Sequence, residues 1–167
     1  MDVVVKSSSM GRQIQILWAG RHERDEWEDL CGRYRKRILH YLPIEDRVVR
    51  TRLMRDPKAR QRAESEALEQ ALPKSAWVVA LDRRGRQMSS EHFSRWLQSL
   101  RSEWPHPVVF VLGSDLGLGD SFLERARERL SLGKMTLPHN LARLILYEQI
   151  YRALSITAGM QYHREPL

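Results

Sequence analysis

Apolar and polar residues along this chain follow two periods, and the places where one gives way to the other mark its elements. Gln13–Ala19 is rich in Ile and Leu and reads as a first strand ending at Gly20. From Glu23 to Leu39 the apolar positions Trp27, Leu30, Cys31, Tyr34 and Ile38 have the spacing of one buried helix face. Pro43 interrupts that pattern, and Ile44–Val49 forms a second strand. Asp56-Pro57 opens a helix through Ala59–Leu72, because Asp accepts free amides and Pro suits the first turn. Ala76–Leu81 is a short continuous apolar run, as in a strand covered on both faces. The charged stretch Asp82–Met88 reads as a turn, and Ser89 or Ser90 caps a helix with Phe93, Trp96, Leu97 and Leu100 on one side. Pro107–Leu112 is another buried strand, followed by the turn Gly113–Gly119. Asp120 starts a helix to about Leu130, Leu130–Leu137 is a last strand or strand-like loop, and Pro138 starts the final helix.

Strands alternating with helices predict an α/β domain with a mainly parallel sheet flanked by helices. Residues 13–167 form one domain, and residues 1–12 read as a disordered leader, polar after Val3–Val5. The final helix departs from the usual one-sided pattern. From Asn140 to Ile156, 11 of 17 residues are apolar or Tyr, and they lie all around the axis. A helix of that kind is covered on most sides. Two arrangements satisfy this, a two-fold homodimer and a central helix within a monomer; the homodimer is the expectation taken forward.

Composition narrows the class. The single cysteine, Cys31, excludes an intrachain disulfide and suits a reducing cytoplasm. No apolar run approaches the roughly 20 residues that span a bilayer, so no membrane partner is expected. The six histidines lack metal-ligand spacing, and no metal is expected. The formal net charge is +7, and the excess is uneven: Arg47 to Arg62 holds seven Lys/Arg against one acid, Asp56. Such a block suits a phosphate backbone, with a solvated surface as the alternative; Arg50, Arg52 and Arg55 are the candidate contacts.

Gly113, Gly117 and Gly119 follow a strand and precede a helix, where backbone amides can approach a ligand. The spacing matches neither common phosphate-binding glycine motif. The position is more informative than the motif, because parallel sheets bind ligands beyond the C-terminal ends of their strands. Leu81-Asp82, Leu112-Gly113 and Leu132–Leu137 all emerge at such an edge. Arg143, Glu148 and Arg152 interrupt the last helix. Glu148 and Arg152, at i and i+4, can pair with each other, whereas Arg143 has no partner nearby in sequence and is assigned to a ligand or phosphate. Tyr162-His163-Arg164-Glu165 is expected to be pinned over the same strand edge.

Four segments together resemble the ribosomal RNA large subunit methyltransferase H family, a branch of the SPOUT (trefoil-knotted) methyltransferases: Phe110–Gly117, Leu130–His139, Leu146–Ala153 and Tyr162–Glu165. The resemblance covers roughly residues 13–165. It implies a C-terminal trefoil knot, which no periodicity reveals and which general topology disfavours. It also implies an S-adenosylmethionine-dependent enzyme that methylates N3 of a pseudouridine in the interface hairpin of 23S rRNA, acting as a homodimer on assembled ribosomes. Carried over by position, the cofactor is held by Leu81, Gly113 and Leu132, Gly133, Lys134, Met135, Thr136 and Leu137. His163 is the candidate base, with His139 the other titratable group. Arg152, Arg164 and Arg143 are assigned to phosphates or the developing imide anion, and Tyr162 to stacking on the base. His139 and the arginines of the basic block are assigned to the RNA. Two positions depart from the family pattern: Ser114 stands where a second Gly is usual, and Gly133 where Ser is typical. A non-catalytic RNA-binding protein of the same fold is therefore the alternative, and a flavodoxin-like small-molecule enzyme the third reading.

Overall fold

A computed structural model describes residues 13–21 and 24–164. The expected leader at residues 1–12 lies outside them, as do the side chains of His163 and Arg164. The chain runs β1 (Ile14–Ala19), α1 (Glu26–Ile38), β2 (Ile44–Val49), α2 (Pro57–Ala71), β3 (Trp77–Arg86), α3 (Ser90–Glu103), β4 (Val108–Leu112), α4 (Asp120–Arg125), β5 (Glu128–Leu130) and α5 (His139–Thr157), then a 3-10 turn at Gln161–Arg164. The five strands form one sheet in the order β2-β1-β4-β3-β5, and every pairing is parallel.

The period-2 pattern of the strands divides the core into two layers. Ile14, Ile16 and Trp18 of β1, with Val108, Phe110 and Leu112 of β4, face α1, α3 and α5. Leu17, Ala19, Val109 and Val111 face α2 and α4. β1 and β4 are thus apolar at almost every position, as burial on two faces requires. Helix starts follow local chemistry: Asp25, Asp56 and Ser89 each accept an amide hydrogen bond three residues on.

Three boundaries differ from the sequence expectation. The helix expected from Asp120 to Leu130 stops at Arg125, because the Arg127 amide donates to Val78 O and draws Glu128–Leu130 alongside β3. Leu130–Leu137 is a strand only at its first residue; beyond it Gly133 has φ +143° and the segment leaves the sheet as a loop. Of the charged turn expected at Asp82–Met88, Asp82 to Arg86 are instead part of β3, with a register shift in which Leu81 and Arg86 both pair with Leu130. Gly85 is required there, since a Cβ would lie 2.6 Å from the Arg129 carbonyl carbon.

Helix α5 packs against both α1 and α3 and buries Leu146, Tyr147, Ile150, Ala153 and Leu154 in the larger core. Much of its all-round apolarity is thereby satisfied within one chain. Its fixed point is polar. Arg143, 3% exposed, donates from Nε and Nη2 to Asp46 Oδ2 at 3.1 and 2.8 Å and from Nη2 to Glu28 Oε2 at 2.7 Å. Tyr147 Oη donates to the same Asp46 oxygen at 2.5 Å, and Trp18 Nε1 to Asp46 Oδ1 at 2.8 Å. The Arg143 guanidinium also lies 4.4 Å from the centre of the Trp18 ring. Burial pushes the Glu28 carboxyl up, but the Arg143 and Arg35 guanidiniums more than offset it and hold it below the usual glutamate value. The assignment of Arg143 to a ligand or phosphate is corrected: its partners are 97 and 115 residues away in sequence, and they take its charge in the interior. Removing one member of such a cluster leaves a buried charge uncompensated. Asp46→Ala is therefore expected to lower the unfolding free energy by about 3–5 kcal/mol in urea titrations, while Asp25→Ala, which removes only a helix cap, costs about 1 kcal/mol.

Candidate functional site

Because the strands are all parallel, β1 to β5 present their C-terminal ends at one edge, and the second half of β3 with the loops leaving β4 and β5 encloses a cavity of about 980 Å³ there. Its walls come from Leu81 to Arg84, from Leu112 to Leu118, and from Leu130, Leu132, Gly133 and Met135–His139, with Ala142 of α5 closing one side.

Each wall has a local cause. After β4 the chain folds back sharply: the Gly117 amide donates to Ser114 O at 2.9 Å, and Gly117 takes φ +70°. Gly113 admits no side chain, since a Cβ would lie 2.4 Å from the Gly117 carbonyl carbon. The third wall is stitched to the first. The Ser131 amide donates to Arg86 O at 2.9 Å, and Ser131 Oγ lies 3.1 Å from Arg83 O. The same hydroxyl accepts from the Gly133 amide at 3.2 Å. Outside, α2 supports the glycine loop: Gln61 Nε2 donates to Leu116 O at 2.7 Å and the Gly119 amide donates to Ser65 Oγ at 3.1 Å.

The chemistry of the lining is mixed. Leu81, Leu112, Leu130, Leu132 and Leu137 supply apolar surface, and Asp82, Asp115 and Asp120 supply carboxylates. Burial raises Asp82, but hydrogen bonds from the Arg84 amide and guanidinium prevail and hold its carboxyl below the usual aspartate value. The Arg60 guanidinium, 2.6 Å away, does the same for Asp115. Both are anions at neutral pH. Arg83 and Arg84 line it as well, and Arg84 pairs with Asp82 and Asp120, so the cavity combines an apolar slot, glycine backbone and charges of both signs, which suits a flat heterocycle attached to a charged amino-acid group.

Of the residues expected to hold a cofactor, Leu81, Gly113, Leu132, Gly133, Met135, Thr136 and Leu137 all line this one cavity; Lys134 is exposed and does not. His139 lines it too, from the first turn of α5. Arg50, Arg52 and Arg55 are exposed on the loop leaving β2, hence at the same edge of the sheet. With strands about 4.8 Å apart, β2 lies roughly 10 Å from β4. Arg152 and Tyr162 are elsewhere. Arg152 pairs with Glu148 at 2.6 Å and stacks on the Tyr162 ring, which itself meets Tyr151 edge-on. They belong to the far end of α5, and 13 residues of helix separate Arg152 from His139 by about 20 Å. The expectation that Tyr162–Glu165 is pinned over the strand edge of its own chain is therefore corrected for Tyr162: its ring is held by the last turns of α5. Sequence reading brought Asp82 to this edge without giving it a role, and it missed Ser131 and the buttress from α2, which bond residues distant in sequence and follow no spacing rule.

The family model described as "Predicted SPOUT methyltransferase" matches residues 12–163. Curated relatives agree over nearly their whole length. Ribosomal RNA large subunit methyltransferase H of Gemmatimonas aurantiaca is 41% identical over 155 residues, 91% of this chain and 99% of that protein. The protein of the same name from Solidesulfovibrio magneticus is 35% identical over 152 residues, with 91% and 99% covered. The chain belongs to the ribosomal RNA large subunit methyltransferase H family of SPOUT methyltransferases. A solved structure of a probable methyltransferase from Bordetella pertussis Tohama I has the same fold at a TM-score of 0.55 and 17% identity, covering 87% of this chain and 96% of that one. The flavodoxin-like enzyme reading is thereby set aside. Among the described residues no group of three or more His, Cys, Asp or Glu is placed to hold a metal, and no helix is long and apolar enough to cross a membrane.

If the tight β4 turn shapes the cavity, Gly113→Ala must distort it. The variant is expected to lose at least about 2 kcal/mol of stability in thermal unfolding, whereas Gly159→Ala, at a positive φ of +71° but far from any clash, loses about 1 kcal/mol.

Proposed function

We propose that this protein transfers a methyl group from S-adenosylmethionine to N3 of a pseudouridine in the interface hairpin of 23S rRNA, acting as a cytoplasmic homodimer on assembled ribosomes. The observation that carries the reading is that residues of β3, β4, β5 and α5 meet around one cavity. It has an apolar slot for an adenine and carboxylates for a cationic amino acid, and glycine backbone forms its narrowest turn. The leucines of that cavity and the backbone of Gly113 and Gly133 would hold the cofactor, and Asp82 or Asp115 would offset its positive charge. When bound, S-adenosylmethionine supplies an electrophilic methyl group on a sulfonium and is left as a neutral thioether.

The protein's own tasks are then alignment and proton removal. Methyl transfer needs the acceptor nitrogen in line with the donor bond, so positioning accounts for most of the acceleration. N3 carries a proton that must go to a base. His163 is the proposed acceptor, Arg152 and Arg164 are proposed to hold phosphates or the developing imide anion, and Tyr162 to stack on the base. Because α5 carries Arg152, with Tyr162 stacked against it, about 15 Å beyond Ala142, the last helix residue on the cavity of its own chain, these residues serve a cavity only if a second copy supplies its C-terminus. The half-buried Leu141, Leu144 and Ile145 of α5 leave apolar surface for such a partner. A specific observation favours a second assignment of the base: His139 already lines the cavity. Arg50, Arg52 and Arg55 are proposed to meet the rRNA backbone, being exposed at the cavity's edge of the sheet.

The departures from the family pattern do not favour the non-catalytic alternative. The Ser114 hydroxyl is bonded to Glu64 at 2.6 Å, and Gly133 has a φ that side chains rarely adopt.

Incubation of ribosomes and of naked rRNA with labelled S-adenosylmethionine tests the reading. Label is expected at one pseudouridine of the large-subunit rRNA, with ribosomes preferred. In the same assay His163→Ala is expected to slow the chemical step by about 100-fold or more with cofactor affinity unchanged. A slow His139→Ala beside a normal His163→Ala moves the base to His139, and cofactor binding without transfer to either substrate returns the protein to RNA binding alone.

A further inference from the structure

The basic segment and the cavity are joined by one helix. α2 begins at Pro57, immediately after the exposed Arg50–Arg55 loop, and runs behind the β4 turn. Four of its side chains, at positions 60, 61, 64 and 65, fall on one face by the i, i+1, i+4, i+5 spacing, and each reaches a different residue of that turn. Arg60 Nη2 is 2.6 Å from Asp115 Oδ1, Gln61 Nε2 donates to Leu116 O, Ser114 Oγ donates to Glu64 Oε2 at 2.6 Å, and the Gly119 amide donates to Ser65 Oγ.

Glu64 stands apart within this set. It is 7% exposed, a degree of burial unusual for a carboxylate. Its only cation within ion-pair distance in the described structure is Arg60, whose Nε lies 3.6 Å from Oε1, long for a hydrogen bond. A carboxylate buried at that cost is matched by the Ser114 hydroxyl, which lies directly on the cavity wall. The Ser114 oxygen in turn lies 3.4 Å from the Leu116 amide, so one hydroxyl ties Glu64 to the first half of the turn.

We propose that Glu64 is a positioning residue for cofactor binding: through Ser114 it holds the Gly113–Gly119 turn in the shape that closes the cavity. It touches no ligand itself. The inference rests on the assignment of the cavity to S-adenosylmethionine. It predicts that loss of the carboxylate opens the turn and weakens cofactor binding, while the chemistry at saturating cofactor is spared.

Calorimetric titration of the full chain with S-adenosylmethionine tests it, beside steady-state kinetics on ribosomes. Glu64→Ala is expected to raise the dissociation constant and the cofactor KM roughly tenfold, the worth of a hydrogen bond to a charged acceptor, with kcat within about twofold. Glu64→Gln keeps an oxygen that accepts from Ser114 and is expected to restore most of the affinity. Glu66→Ala, on the exposed side of α2, is the control and binds as the unaltered protein does. In the Glu64→Ala background, Ser114→Gly is expected to cost little more, since the two residues act as one contact. If Glu64→Ala does not fold, Ser114→Ala, which removes the same contact from its other side, provides the same readout. Unchanged affinity in a folded Glu64→Ala or Ser114→Ala overturns the inference, as does a Glu64→Gln no better than Ala. An unaltered protein that takes up no S-adenosylmethionine overturns the assignment of the cavity instead.

Discussion

The carboxylate of Asp46 receives Trp18 of β1, Tyr147 and Arg143 of α5, and with Glu28 of α1 it closes a buried cluster around the Arg143 guanidinium. A helix held only by leucines can slide or rotate at little cost, because hydrophobic contact is not directional. A helix held by donors that must meet one buried carboxylate cannot, since every misplaced donor is left unsatisfied in the interior. The register of α5 is thereby set, and with it the position of His139 and Ala142 at the cavity. Burial and the nearby Asp46 carboxylate also push the Tyr147 hydroxyl far up, so it remains a donor at any physiological pH.

The cavity is held from both layers. On one side α5, positioned by Asp46, closes it; on the other α2 braces the turn after β4. Between them the chain comes so close to itself that only glycine fits at positions 85 and 113. Shape here comes from backbone proximity and a few buried polar contacts. The apolar residues supply the driving force for collapse, and the polar contacts select which collapsed arrangement is kept.

The strands and most helices were legible because burial imposes periods of two and 3.6 on the sequence, and because Asp25, Asp56 and Ser89 mark helix starts. The C-terminal edge as the place for a ligand followed from parallel topology alone, and Leu81, Gly113 and the Leu132–Leu137 segment meet there. Contacts between residues distant in sequence were not legible. Arg143 looked free because nothing within a helical turn could pair with it, while its partners lie on β2 and α1. The short β5 was hidden inside an apparent helix, since three residues carry too little periodicity to register against the pairing with β3. Glu64 and Ser114 look like an ordinary helix-surface acid and a turn serine until the fold brings them to 2.6 Å.

Amide hydrogen exchange of the full chain with and without S-adenosylmethionine tests most directly whether this edge of the sheet is the binding site. The account predicts added protection in Leu112–Gly119 and Leu130–Ala142, and no change at the opposite edge around Trp77 and Trp104. Protection centred on that opposite edge, or none at saturating cofactor, would contradict it.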